Sequence, residues 1–166
     1  MIFKPDIRLD RITEITPDML RRRGISALIL DVDNTLSTHH GQQLTEGLSD
    51  WLTLMRENGI LLTVLSNSTD KRLKPFAEKI GLSYISMGLK PLPFGYFRAL
   101  KSLGAEKKAA AIVGDQIFTD VLGGKLSGVR TVLLTPIKPE SSLRFRIKRR
   151  VERWLLKRMK LEKTKE

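Results

Sequence analysis

Four apolar runs of strand length recur along the chain, each followed by a segment whose apolar residues repeat at helical spacing, and few architectures accommodate that alternation. The runs are Ile25 to Asp31 (ISALILD), Ile60 to Ser66 (ILLTVLS), Ala109 to Val113 (AAAIV) and Arg130 to Leu134 (RTVLL), with a short fifth over Ser83 to Ile85. Near-continuous apolarity at that length suits parallel strands buried on both faces. Between them, Leu44, Leu48, Leu52 and Met55 share one helical face and stop at Asn58-Gly59, while Leu73, Phe76, Ala77 and Ile80 share another and stop at Gly81. Phe94 to Leu103, before Gly104, and Asp120 to Ser127, before Gly128, complete a β-α-β-α series. The series predicts an α/β fold, a mainly parallel five-stranded sheet with helices on both faces. A helical bundle would leave the glycine-bounded, β-branched runs unexplained.

Length and composition set the limits of the chemistry. At 166 residues the chain fits one domain with its own core. There is no cysteine, which excludes a disulfide framework, a thiolate zinc site and a cysteine nucleophile. The opening MIFKPDIRLDR lacks the apolar run of a signal peptide, and no stretch of about 18 apolar residues is present to span a bilayer. These features lead us to expect a cytoplasmic protein able to sit peripherally on the inner face of a membrane. The net charge of +12 points to anionic partners, and from Lys138 onward twelve basic residues stand against four acidic ones, so +8 of it lies in the last 29 residues.

In open parallel sheets ligands bind beyond the carboxyl ends of the strands, so polar residues directly after the apolar runs are the candidates for chemistry. Four places qualify: Asp31-Val32-Asp33-Asn34-Thr35, Ser66-Asn67-Ser68, Gly88-Leu89-Lys90-Pro91, and Gly114-Asp115 through Asp120. Asp31 and Asp33 at one strand end would repel unless a cation or a shared proton intervened. Asp115 arrives from another strand as a third acid. A hard, oxygen-rich site of this kind suits octahedral Mg2+ better than zinc. The cation would neutralise a transferring phosphoryl group, with Lys90 and the Ser66 hydroxyl on its remaining oxygens.

These segments resemble the motifs of the haloacid dehalogenase (HAD) superfamily. DVDNT resembles its DxDx[TV] signature, LSNS its second motif, Lys90 its third and GDQIFTD the GDxxxxD form of its fourth, over residues 25 to 135. The resemblance implies a HAD-like Rossmannoid three-layer sandwich and a phosphatase. Asp31 is then the nucleophile that forms an aspartyl-phosphate, and Asp33 the general acid and base. Mg2+ is held by Asp31, the Asp33 carbonyl and Asp115, with Asp120 in support, and Thr35, Ser66, Asn67 and Lys90 face the substrate. The 35 positions from Asp31 to Ser66 and the 25 from Lys90 to Asp115 leave no room for a large cap domain. Within the superfamily the run DVDNTL, SNS, KP, GDQ, TDVLGG and the basic tail is similar to the YqeG group of small class III phosphatases. That group is in turn similar to mitochondrial and plant enzymes that dephosphorylate phosphatidylglycerophosphate. A phosphorylated small molecule or an anionic phospholipid is therefore the expected substrate.

The tail is read as a unit of its own, residues 138–166 following an α/β domain at 1–137 with a short N-terminal arm. At about 100° per residue, Leu143, Ile147, Val151, Trp154, Leu155 and Leu161 share one arc, with Arg146, Arg149, Arg150, Arg153, Lys157 and Lys160 opposite. Such a basic amphipathic helix either packs its apolar stripe on the domain or lies over residues 141–161 on an anionic membrane with Trp154 at the interface. RNA on the same positive face is the third reading, and a catalytically quiet HAD-fold module that binds RNA or a ribosome-related partner through the tail is the alternative function. All four motifs precede Lys138, which makes the tail separable from the chemistry. His39 and His40, in the loop after the nucleophile strand, are either placed to touch a substrate or are loop histidines without a role. In the segment after Asp120, Gly123-Gly124 is costly in a helix and implies close packing or a break.

Overall fold

Strands apolar on both faces need covering on both sides, and the sheet is built accordingly. The computed structural model describes residues 1–38, 43–137 and 143–159, of which 143–145 are described in backbone only. Six strands, β1 (Ile7–Leu9), β2 (Ala27–Leu30), β3 (Leu61–Leu65), β4 (Ser83–Ile85), β5 (Ala110–Gly114) and β6 (Arg130–Leu134), form one sheet in the order β1-β6-β5-β2-β3-β4. Every pairing is parallel. In the central strand β2 all four residues are buried, and alternation sends them to opposite faces. Leu28 and Leu30 join one core with Met55, Leu73, Phe76 and Ile80, while Ala27 and Ile29 join another with Leu65, Tyr96, Leu100 and Ile112. The first core is covered by α1 (Pro17–Arg22), α2 (Leu48–Glu57) and α3 (Asp70–Ile80), and the second by α4 (Pro93–Leu103). The expected three-layer sandwich is present, and no large cap is inserted among the described residues.

Three expectations need correction. The sheet has six strands rather than five, because Ile7–Leu9 adds an edge strand beside β6. Its start is anchored there by Asp6, whose carboxylate accepts from the Thr131 N–H (2.8 Å) and hydroxyl (2.9 Å) and pairs with Lys125. Helix α2 begins at Leu48 rather than Leu44, since Gly47 before it takes the left-handed φ of 75° and Leu44 instead bridges to Ser37. The segment expected as a helix from Asp120 opens as a π-turn over Ile117–Val121 before α5 (Leu122–Ser127). Asp120 therefore lies inside a turn, with its carboxylate accepting from the Gln116 N–H (3.1 Å). Last among the described residues is α6 (Leu143–Arg158). Leu161 and Lys160 lie outside the described residues, as do His39 and His40.

Both glycines of α5 are buried, and close packing is the reason. A Cβ at Gly123 would sit 2.4 Å from the Tyr96 hydroxyl, and one at Gly124 would sit 2.6 Å from Ile112 and Thr131. Tyr96 uses that space to donate to the Thr119 carbonyl (2.9 Å), tying α4 to the turn that carries Asp120. We expect Gly123→Ala to lower stability by ~1–3 kcal/mol through overpacking, read as a fall in the midpoint of thermal or urea unfolding. An unchanged midpoint would mean that Tyr96 yields freely.

Candidate active site

The central strands β5, β2 and β3 end side by side, and each delivers a polar residue at its carboxyl end. Asp31 follows β2, Ser66 follows β3 and Asp115 follows β5, so three segments far apart in sequence meet at one edge. Asp31 is fixed in place by its own N–H, which donates to the Val113 carbonyl (2.9 Å). Asp120 comes in from the π-turn against Gly114, where a Cβ would stand 2.3 Å from its carboxyl carbon. Only glycine at position 114 permits that approach.

The site is a buried charge cluster. Lys90 Nζ donates to Asp31 Oδ1 (2.5 Å) and Asp120 Oδ1 (2.7 Å), and all three side chains are less than a tenth exposed. Asp31, Asp115 and Asp120 offer ligand atoms that all lie within 4.8 Å of one another. On the far side, Arg149 of α6 pairs with Asp115 Oδ2. Three buried carboxylates thus face two cations, and Asp115 Oδ1 is buried with no hydrogen-bond partner among the described residues. Burial of unpartnered anionic oxygen is costly, and a hard divalent cation is the group that this donor set fits. The same imbalance shows in the titration of the acids. Burial pushes the Asp31 carboxyl up to about 7 against the opposing pull of Lys90. Burial likewise raises Asp115 well above the carboxylate range, against Arg149. Burial alone would lower Lys90, but Asp120 and Asp31 outweigh it and hold the ammonium above its ordinary value.

The remaining sequence candidates have varied surroundings. Asp33 stands at the mouth, about a quarter exposed, and receives Arg72 of α3 on both oxygens (3.2 and 3.3 Å). Ser66 is buried, and its hydroxyl accepts from the Ser68 N–H (3.1 Å). The Thr35 hydroxyl is buried without a partner among the described residues. Asn67, expected to face substrate, has its amide occupied by the chain: its Oδ1 accepts from the Lys90 N–H (2.7 Å) and its Nδ2 donates to the Lys90 carbonyl (3.1 Å). That clamp sets the backbone from which Lys90 reaches inward.

Sequence reasoning missed Arg72, Arg149 and Glu152. Helix α6 meets the domain through Lys148, Arg149 and Glu152, with Leu156 against the cluster of Ile117, Val121 and Leu133; of the placements left open by the sequence, packing by the apolar stripe is the one that the structure does not bear out. Glu152 is 3% exposed, whereas Ile147, Val151 and Trp154 are 59%, 43% and 54% exposed. One signal was available, since Glu152 is the only acid between Leu143 and Arg158.

A profile of haloacid dehalogenase-like hydrolases matches residues 6–128. The chain belongs to that family. It is a phosphatase of the HAD type, 35% identical to the "Probable phosphatase YqeG" of Bacillus subtilis (strain 168), over 95% of this chain and 92% of that protein. It is also 28% identical to "Phosphatidylglycerophosphate phosphatase 1, chloroplastic/mitochondrial" of Arabidopsis thaliana, over 93% of this chain but 47% of the plant protein. Among solved structures, NagD from E. coli K-12 shares the fold with a TM-score of 0.57 at 15% identity, over 72% of this chain and 90% of that one.

For this HAD phosphatase the raised Asp31 gives a pH prediction. Without metal, the folded protein holds a proton on Asp31 that the unfolded chain releases above the ordinary carboxylate range. The contribution of Asp31 to stability therefore declines as pH rises towards about 7, where its folded-state pKa lies. Metal-free protein should melt at a higher temperature at pH 5 than at pH 8, and Asp31→Asn should shrink the difference. An identical pH dependence in the variant would remove Asp31 from this account.

Proposed function

We propose that the protein is a Mg2+-dependent phosphomonoesterase working through an aspartyl-phosphate on Asp31, and that its substrate is an anionic phospholipid such as phosphatidylglycerophosphate, met at a membrane surface. The observation that carries the chemistry is the cluster of three buried carboxylates around Lys90, with one carboxylate oxygen, Asp115 Oδ1, left unpartnered. Lys90 holds Asp31 by Oδ1, and Oδ2 receives no hydrogen bond among the described residues. Oδ2 attacks phosphorus, and the ester P–O bond breaks as Asp33 gives its proton to the leaving oxygen. Asp33 then takes a proton from water as that water's oxygen attacks the phosphorus. The bond to Asp31 breaks, phosphate leaves, and the carboxylate is regenerated. The Lys90 ammonium and Ser66 hydroxyl hold phosphoryl oxygens through both halves. When bound, Mg2+ neutralises developing charge on those oxygens, with Asp31, the Asp33 carbonyl and Asp115 to hold it and Asp120 beside them.

Two features support a lipid substrate. Helix α6 presents Ile147, Val151 and Trp154 outward, and Arg146, Arg150 and Arg153 are exposed on the same helix. Beneath it runs a cavity of about 810 Å3, walled by Ile117, Leu133, Leu134 and Leu156 with Arg8, Arg146 and Arg153 among its basic residues, and it reaches Asp115. Apolar walls with cationic residues beside a phosphotransfer site suit an anionic amphiphile. No described helix is long and apolar enough to cross a membrane, so attachment by this route is at the surface.

Asp31→Asn should abolish phosphate release with the fold intact, and turnover within tenfold of the parent would sink the mechanism. Asp33→Asn should harm alkyl phosphates more than activated aryl phosphates, since the latter need less help in leaving. EDTA should stop turnover and Mg2+ restore it, whereas Ca2+ should not, because calcium favours looser and higher coordination.

The membrane half is tested separately. Sedimentation with anionic vesicles should weaken with salt and fall in an Ile147→Ala, Trp154→Ala double variant, each basic residue near the surface contributing roughly 1 kcal/mol. Tighter retention of RNA than of vesicles at equal ionic strength overturns the lipid assignment and leaves the phosphatase chemistry standing.

A further inference from the structure

The loop that follows β5 is held from outside by a helix more than thirty residues further along the chain. Lys148 Nζ donates to Gln116 Oε1 (2.5 Å). Arg149 donates through Nη1 to the Asp115 carbonyl (2.6 Å) and to Glu152 Oε2 (3.1 Å), and through Nη2 to Asp115 Oδ2. Glu152 Oε1 accepts from the N–H groups of Ile117 (2.9 Å) and Phe118 (3.3 Å). Those two N–H groups open the π-turn, where no carbonyl of the turn can reach them, and Gln116 before it supplies no side-chain cap. Glu152 therefore caps the turn from another helix, as an Asp or Glu normally does from within its own.

The consequence falls on Asp115. Its carboxylate has two oxygens, and Arg149 takes Oδ2 while also gripping the carbonyl of the same residue. Two bonds to one residue fix both its backbone and the rotation of its carboxylate. Oδ1 is thereby left as the oxygen available to a cation beside Asp31 and Asp120. Bidentate guanidinium geometry achieves this, and a point-charge ammonium would not.

We propose that Arg149 and Glu152 are positioning residues of the metal centre, so that α6 is a working part of the active site. The inference rests on the reading of Asp115 as a metal ligand and goes beyond it. It also revises the separability of the tail, because removing the helix would release the loop that carries Asp115.

The test is Mg2+ affinity measured by calorimetry on EDTA-stripped full-length protein, a readout independent of turnover. Asp115→Asn should abolish binding. Arg149→Ala should weaken it about 10- to 100-fold, the usual cost of losing a group that orients a metal ligand. Arg149→Lys should recover only part of the loss, and Lys157→Ala, on an exposed position of the same helix, should change nothing. Glu152→Ala should weaken binding less than Arg149→Ala and speed amide hydrogen exchange at Ile117 and Phe118, while Glu152→Gln, which keeps an accepting oxygen, should restore much of that protection. Full Mg2+ affinity in Asp115→Asn would remove the premise, and with it the proposed metal site. Abolished binding in Asp115→Asn beside unchanged binding in Arg149→Ala would overturn the positioning role alone. Tighter binding in Arg149→Ala would also overturn it, since Arg149 would then be competing for the carboxylate. If Arg149→Ala does not fold, Arg149→Lys and Glu152→Ala decide: affinities within threefold of the parent in both would sink the inference, and a larger loss in either sustains it.

Discussion

The ammonium of Lys90, buried between Asp31 and Asp120, is the contact on which the rest of this molecule turns. A charge taken out of water is tolerated only where opposite charge meets it at close range, and breaking such an arrangement on one side typically costs ~3–5 kcal/mol. Much of the local architecture serves to bring the three groups together. Asn67 holds the Lys90 backbone by two hydrogen bonds, Gly114 leaves room for Asp120, and Tyr96 ties α4 to the turn bearing that acid. Parallel strands then align the rest, because each brings its carboxyl end to the same edge of the sheet.

That arrangement explains which parts of the chain could be read in advance. Strands β2, β3, β5 and β6 were legible because central parallel strands must be apolar on both faces, and their polar ends marked the site directly. The edge strand β1 was not, since Ile7 and Leu9 flank an arginine over only three residues and the pairing partner lies 125 residues away. Asn67 was expected at the substrate because its motif placed it there; what its motif did not show is that a side-chain amide matches a peptide group well, and its amide meets the Lys90 backbone. The helix at the C-terminus was legible as a helix, whereas its docking face was not. Periodicity arguments assume that apolar residues choose the interface, and here the choice was made by unpaired N–H groups at Ile117 and Phe118, which no local pattern reveals.

The division of labour around the site also separates two kinds of acid. Asp31, Asp115 and Asp120 are buried with ligand atoms within 4.8 Å of one another, and the first and last share Lys90, so their charges are interdependent. Asp33 is at the surface with Arg72 and belongs to the solvent side. In the mechanism we propose, Asp33 exchanges protons with a leaving oxygen and with water and so needs such access, whereas Asp31 as the nucleophile needs to be kept from hydration. Two carboxylates two positions apart thus have different surroundings: Asp31 directly follows β2, whereas Asp33 stands where the chain turns away at Asn34, which takes a left-handed φ of 60° and donates its N–H to the Ser37 carbonyl (2.8 Å).

Attachment by directed bonds gives α6 a property that an oily seam would lack. A helix resting on apolar side chains can shift by a turn and find similar contacts, whereas one that must meet a side-chain amide, a carbonyl, a carboxylate and two successive N–H groups has a single register. Insertion or loss of one residue within Lys148 to Glu152 cannot be absorbed, because it rotates the anchors on one side of the change by about 100° relative to those on the other. The docking of the helix therefore depends on the spacing of these residues within it rather than on its length.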